Sequence, residues 1–388
     1  MKRDKPSLNV QEIGEQGLLK LVQSFCPADF VGDDAAVLTP HPGQSLVITT
    51  DVLIDGVHFS DQTTSAADAG WRAAAANLSD LAAMGAMPLG ITVGLGLPGD
   101  TPVLWVEGLY RGLTECLNQY ETPIVGGDLC RSPVLSIAIT AFGEAAPHQL
   151  IRRSTARPGD AIVATGIHGA SKAGLELLLH PELGRSLSES DRALLIHAHQ
   201  RPKPRLDVVE LLWADCRGQA EGATGAEGAT QTSAVQHSPP NTLLSSPTSS
   251  PIFPASLPTT PLTPHPSPLT SIAGMDSSDG LADAIVQLCR ASGVGARIER
   301  SQIPLPSALP QWVGAEQALE WALYGGEDFE LVLCLPIAGA QTLVRQLGDG
   351  ATIIGTITED PTVWLVDATG NQPDQPLTLE RGFQHFSG

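Results

Sequence analysis

Short apolar runs alternate along this chain with longer stretches in which apolar residues recur at helical spacing. Residues 45–54 (SLVITTDVLI) read as a buried strand, and the Ala-rich residues 65–86 as a helix. A strand over 90–97, a helix over 101–120, a short strand over 122–125 and a strand over 134–143 (VLSIAITAFG) complete a first block. The turn Arg157-Pro158-Gly159-Asp160 feeds a strand over 161–165 and opens a second block, with helices near 168–180, 188–199 and 204–215. Beyond these the pattern predicts a helix over 279–292 and strands over 294–299 and 329–335 (FELVLCL). A helix over 338–347 and strands near 352–357 and 362–366 follow. This alternation predicts two α/β lobes, residues 1–147 and 148–388, joined near 144–158.

One segment breaks the pattern. From Gly228 to Met275 there is no Asp, Glu, Lys or Arg, and residues 238–268 hold ten of the 31 prolines. Sequence rich in Pro, Ser and Thr forms no regular ladder and buries little apolar surface. Residues 219–270 are therefore expected to be a disordered insertion in the second lobe.

Composition narrows the function. A formal net charge of -20 argues against nucleic acid or an anionic membrane as partner, since both demand basic surfaces. None of the five lysines (Lys2, Lys5, Lys20, Lys172, Lys203) follows a Gly-rich loop, so a GxxxxGK[ST] phosphate loop is absent. If the protein handles phosphate, metal ions and arginines must neutralise it. The six cysteines are scattered with no CxxC pair, which fits reduced thiols better than a disulfide frame or a zinc site. No apolar stretch follows the basic first residues, and none approaches the roughly 20 residues that span a bilayer. A cytoplasmic protein is expected.

Six short acidic motifs carry the chemistry: Gly32-Asp33-Asp34, Thr49-Thr50-Asp51, Asn77-Leu78-Ser79-Asp80, Gly126-Gly127-Asp128, Asp276-Ser277-Ser278-Asp279-Gly280 and Gly325-Gly326-Glu327-Asp328. Carboxylates are costly to bury without a counter-charge, so this many among Gly, Ser and Thr imply that the counter-charge lies outside the chain. Hydroxyls and carboxylates make an all-oxygen shell, which Mg²⁺ prefers and commonly completes with substrate phosphates. Strand alternation places Thr49 and Asp51 on one face, with Thr50 offering its hydroxyl or carbonyl at the strand end. Asp80 interrupts an otherwise apolar helix and needs a cation or an arginine partner. Gly126 and Gly127 allow close approach of backbone to a ligand, and Arg152 and Arg153 are candidate phosphate clamps. Each motif read alone is equally a turn or a helix cap.

In order, GDDAAVL (32–38), TTDVLIDGVHF (49–59), NLSDLAAMGAMP (77–88), GGDLCRSP (126–133), MDSSDGL (275–281) and YGGEDFEL (324–331), with a terminal GFQHF, resemble the thiamine-monophosphate kinase family. The resemblance spans the chain apart from the 228–268 region. It implies a two-lobed fold like that of aminoimidazole ribonucleotide synthetase, with first-lobe sheets pairing across a homodimer. It also implies ATP-dependent phosphorylation of thiamine monophosphate to thiamine diphosphate by direct in-line transfer. By the same resemblance Asp34, Thr49, Thr50, Asp51, Asp80, Asp128, Asp276 and Asp279 hold several Mg²⁺ ions. Tyr110, Gly127, Asp128, Arg153 and Ser278 contact ATP, and His58, Glu327 and Phe383 contact the thiamine substrate.

Relatives in the same superfamily remain as rivals. Selenophosphate synthetase would carry a reactive Cys in a Gly-rich N-terminal segment, a setting that Cys26 in QSFCPADF does not match. A hydrogenase-maturation protein would end in a cysteine, where this sequence ends Phe386-Ser387-Gly388. A metal-binding scaffold that interacts through the Pro-rich segment is the reading from outside enzymology.

Overall fold

The computed structural model describes residues 8–30, 34–213 and 272–381. The expected insertion over 219–270 and the terminal Phe383 lie outside the described residues. The first part runs α1 (Val10–Gln23), β1 (Ser45–Ile54), α2 (Ala66–Ala83), β2 (Met87–Leu97), α3 (Val103–Leu117), β3 (Ile124–Arg131) and β4 (Ser136–Ala145). The second runs β5 (Ala161–Thr165), α4 (Ala170–Leu179), α5 (Glu189–Gln200) and a helix over 206–213, α6. It continues through β6 (Ala273–Asp276), α7 (Leu281–Ser292), β7 (Gly295–Glu299), α8 (Leu309–Val313), α9 (Ala315–Tyr324) and β8 (Leu331–Leu335). It closes with α10 (Ile337–Leu347), β9 (Ala351–Thr358), β10 (Val363–Val366) and β11 (Gln375–Pro376).

Four strands form the first sheet in the order β1-β4-β2-β3, antiparallel except for the parallel β2/β3 edge. Helices α2 and α3 pack closely because Gly70 and Gly112 leave room for backbone. A Cβ on Gly70 would stand 2.0 Å from the Leu109 carbonyl oxygen, and one on Gly112 1.7 Å from that of Ala67. Along β1 the partly covered Val47, Thr49 and Asp51 alternate with the exposed Leu46, Ile48 and Val52, as a strand period requires. The sheet thus has one face packed on helices and one bare apolar face.

The second sheet has seven strands in the order β11-β10-β7-β9-β5-β8-β6. AIVAT (β5) and LVLCL (β8) are buried at every position, which explains their unbroken apolar reading. Ile162, Ala164 and Val332 share a core with Leu281, Ile285 and Leu288 of α7 and with Leu319 and Leu323 of α9, while α10 packs on β5 and β9.

Helix α2 is common to both halves. Its Ser79 hydroxyl donates to Asp276 Oδ2 at the end of β6 (2.8 Å), and the Trp71 indole donates to the Pro202 carbonyl (2.8 Å). The linker is pinned as well, with Ile151 N–H on the Met84 carbonyl and Gly274 N–H on that of Arg152.

The pattern located most elements to within a few residues. It missed α1, α8, α9 and the short strands β6 and β11. The strand expected at 122–125 is instead Ile124–Arg131 and contains Gly126-Gly127-Asp128, because pairing with β2 continues through them. The same pairing gives the lack of a side chain at Gly127 a structural reason. A Cβ there would sit 2.1 Å from the Val93 carbonyl oxygen, so the close backbone approach is to a neighbouring strand.

Candidate active site

A cavity of about 1020 Å³ opens where the C-terminal half of β1, the inner stripe of α2, the end of β6 and the Gly-Gly loop before β8 converge. Asp51, Asp80, Asp276, Asp279, Ser278, His58 and Glu327 border it, drawn from motifs separated by up to 276 positions in sequence (327 − 51). Thr49 lies behind this lining and donates its hydroxyl to Asp80 Oδ2. Thr50 borders the cavity too, yet its hydroxyl pairs with that of Thr140 on the outer face (2.9 Å), so the expected hydroxyl ligand is turned away.

The carboxylates are held in a strained electrostatic state. Asp276 is 3% exposed, and burial followed by the charges of Asp80 and Asp51 pushes its carboxyl up to about 7, against hydrogen bonds from Ser79 and Ser278. Burial, then Asp80 and Asp279, pushes Asp51 up to about 6. Asp80 is raised by burial, with the Thr49 hydroxyl and the Arg153 charge pulling the other way. Such a cluster attracts cations. Among the described residues no three acidic, His or Cys side chains form a ready metal cage. Mg²⁺ commonly takes one or two carboxylates and completes its shell from phosphates, so this all-oxygen donor set fits that ion when it arrives with a phosphorylated ligand.

The turn from β6 into α7 serves the site rather than the helix. The N-cap of α7 is Gly280, with no side-chain cap, so the serines and aspartates before it are not spent on capping. Ser278 instead bonds Asp276 Oδ1 (3.1 Å) and accepts the Glu327 N–H on its carbonyl (2.7 Å). Glu327 and Phe329 have φ of 58° and 52°, a left-handed backbone that costs non-glycine residues and is typical of functional loops.

Within that loop the acids divide. Asp328 accepts from Gly169 N–H (2.6 Å) and Ser171 N–H (2.8 Å) at the start of α4, so its partners lie within the chain and it is not a ligand. Glu330 accepts from Thr165 Oγ1 and Arg205 Nη1, both at 2.6 Å. Only Glu327 reaches the cavity, where Arg72 Nη2 donates to its Oε1 (2.5 Å). His199 Nδ1 lies 3.7 Å from its other oxygen. Burial, with the charges of Arg72 and Lys172, drives His199 down to about 3, so that ring is neutral. His58 Nδ1 accepts the Ile54 N–H (3.0 Å), which assigns the ring proton to Nε2.

Other expected positions fall elsewhere. Tyr110 is 3% exposed and packs on Phe25 with ring centroids 5.5 Å apart, inside the first lobe. Asp34, Gly127 and Asp128 are exposed or nearly so and do not border the cavity, Asp128 lying on the edge strand β3. Arg153 is near enough to lower Asp80, while its Nη1 donates to Gln287 (2.9 Å).

Models of the AIR synthase related protein match this chain in both halves, the N-terminal domain over residues 32–145 and the C-terminal domain over 271–367. Thiamine-monophosphate kinase of Synechococcus elongatus is 48% identical over 381 residues, covering 98% of each chain. The chain belongs to the thiamine-monophosphate kinase family. The family's Escherichia coli enzyme is 34% identical, with 92% of this chain and 91% of that one aligned. Among solved structures, the thiamine-monophosphate kinase of Stenotrophomonas maltophilia is 28% identical and superposes with a TM-score of 0.68 over 90% of this chain and 95% of that one. A structure of AaThiL complexed with AMPPCP and TMP is 27% identical with a TM-score of 0.65, over 98% of this chain and 100% of that chain. Hydrogenase maturation protein HypE, 17% identical with a TM-score of 0.66, shares the fold.

Members of the thiamine-monophosphate kinase family are phosphotransferases, and the two lobes are the two AIR-synthase-type domains of that fold. No helix among the described residues is long and apolar enough to cross a membrane. Arg72, Lys172, His199 and Arg381 border the cavity without having been singled out from sequence. For Arg72 a signal existed. It shares an i, i+4, i+8 stripe of α2 with Ala76 and Asp80, and a lone arginine in an Ala-rich helix poses the same burial problem as a lone aspartate.

Proposed function

We propose that this protein transfers the γ-phosphoryl group of ATP directly onto the phosphate of thiamine monophosphate, giving thiamine diphosphate and ADP. The observation that carries this reading is the set of carboxylates Asp51, Asp80, Asp276 and Asp279 on one cavity wall, with Glu327 and His58 bordering the same space. Mg²⁺ held by these aspartates would neutralise the two phosphate chains and align them for in-line displacement. Ser278 borders the same cavity, and Arg153, whose charge reaches Asp80, would face the nucleotide phosphates. His58 borders the space where the substrate would sit, and Glu327 presents negative charge to a cationic thiazolium. Asp34, Tyr110, Gly127, Asp128 and Phe383 are not used by this reading. The decisive assay is ADP release with thiamine monophosphate, ATP and Mg²⁺, together with the configuration at a chiral γ-phosphorus. Inversion is expected; retention would indicate a phosphoenzyme, and no ADP release would sink the reading.

Glu327→Gln is expected to raise KM for thiamine monophosphate by about tenfold, the worth of one charged contact, while KM for ATP changes less. A larger effect on ATP would reverse the assignment of Glu327.

We further infer a cytoplasmic homodimer. Leu46, Ile48 and Val52 of β1 are about half exposed, at 47%, 56% and 48%, in a row on the bare face of the first sheet. A second copy would cover that face, and Ile48→Glu is expected to shift the sedimenting mass to that of a monomer. An unchanged mass would remove this face as the interface.

Deleting residues 219–270 and joining Gly218 to Ser271 is expected to leave an active kinase. The segment carries none of the residues matched to the family's site, and shortening a loop lowers its closure entropy only slightly. Steady-state kinetics and a thermal melt test this. Lost activity in a folded deletion variant would assign the segment to the site.

A further inference from the structure

Arg72 is 2% exposed yet borders the cavity, and its two hydrogen bonds both cross from the first lobe to the second. Nη1 donates to the His199 carbonyl in the last turn of α5, and Nη2 donates to Glu327 Oε1. Burying a guanidinium costs more than burying an apolar side chain of similar volume, so stability alone does not call for arginine here. Glu327 needs orienting. Its backbone is left-handed, its N–H is tied to Ser278, and only a third of its side chain is exposed. Arg72 also shares its helix face with Asp80, which borders the same cavity. Eight residues at 1.5 Å rise separate the two along the axis by about 12 Å. Ser79, beside Asp80, ties the far end of this stretch to Asp276. One stretch of α2 is therefore fastened at both ends to second-lobe residues of the site.

We propose that Arg72 is a positioning residue, holding the Glu327 carboxylate at a span from Asp80 set by one rigid helix, so that α2 gauges the distance between the substrate's cationic ring and the phosphoryl-transfer end. This rests on the kinase reading above and deepens it. The planar guanidinium, held at Nη1 by the His199 carbonyl, aims its Nη2 donor at Glu327 in a fixed direction, whereas an ammonium on a flexible stem fixes distance only. The identity of the cation at position 72 should therefore matter to the substrate and not to the nucleotide.

The test uses the full chain as wild type, Arg72→Met, Arg72→Lys, Glu327→Gln and the double variant Arg72→Met/Glu327→Gln. ATP and thiamine monophosphate are varied separately, and each protein is melted. Arg72→Met is expected to raise KM for thiamine monophosphate at least about tenfold with a smaller change for ATP, and Arg72→Lys to recover part of it. The double variant should be no worse toward thiamine monophosphate than Arg72→Met alone, because Arg72 acts through Glu327. Equal rises in both KM values, or additive losses in the double variant, would overturn the proposal. Should Arg72→Met fail to fold, Arg72→Lys and the double variant, in which neither charge is stranded, carry the same comparison. Wild-type protein that leaves thiamine monophosphate unphosphorylated would overturn the kinase reading itself, an outcome separate from any difference among the variants.

Discussion

Asp80→Asn is expected to cut turnover by about three orders of magnitude while the protein still folds, the scale on which loss of one preorganised electrostatic group is felt. Asp80 borders the cavity from a helix whose other inward residues are mostly Ala, Leu and Ser. Its Thr49 bond can be accepted by an amide oxygen, so the neutral isostere keeps the packing and removes only the charge. Because burial already raises Asp80, the ligand-free variant should melt no lower than wild type. The measurement is kcat at saturating ATP, thiamine monophosphate and Mg²⁺, beside a thermal melt. Near-normal turnover would remove Asp80 from the metal-holding set.

The ligand-free protein should lose stability as pH rises from about 6 to about 8, and Mg²⁺ with nucleotide should flatten that loss. Asp276 is pushed up to about 7 from an ordinary 3.8 by burial and by its acidic neighbours, so the folded state keeps a proton there that the unfolded chain has already released. A folded state that binds more protons than the unfolded one loses stability as pH increases. Across this interval Asp276 contributes about 1 kcal/mol, and Asp328, also at about 7, acts in the same direction. His168 and His199 oppose this. Burial takes them down to about 4 and about 3, so they add stability as pH rises through about 6.5, and Asp276→Asn, which keeps both histidines, is the reference against which the loss is read. Asp276→Asn should flatten the profile and abolish turnover together. A wild-type profile that falls no more steeply from pH 6 to 8 than that of Asp276→Asn would contradict the proton balance at Asp276.

The alternation of strands and helices, the run of acidic motifs and the family are all legible along the chain. These are local properties: β1 alternates because a strand has period two, and β5 and β8 read as apolar runs because both faces are covered. The sequence also singled out Asp51, Asp80, Asp276, Asp279 and Glu327, since a carboxylate among small residues carries its burial problem on its face, while His58 came in through the family resemblance. Which acids face the cavity and which are enclosed by backbone donors was settled by the tertiary fold. Asp328 and Glu327 are adjacent and read alike in sequence, yet one meets the backbone N–H groups of α4 and the other faces the cavity. Gly127 reads as a ligand glycine and is required by the strand beside it, and Tyr110 is packing. Arg72 finds its carboxylate 255 residues away. A residue's own neighbours along the chain report its period and its cost of burial; the group that repays that cost is set by how the two lobes close on α2, and no local spacing encodes it.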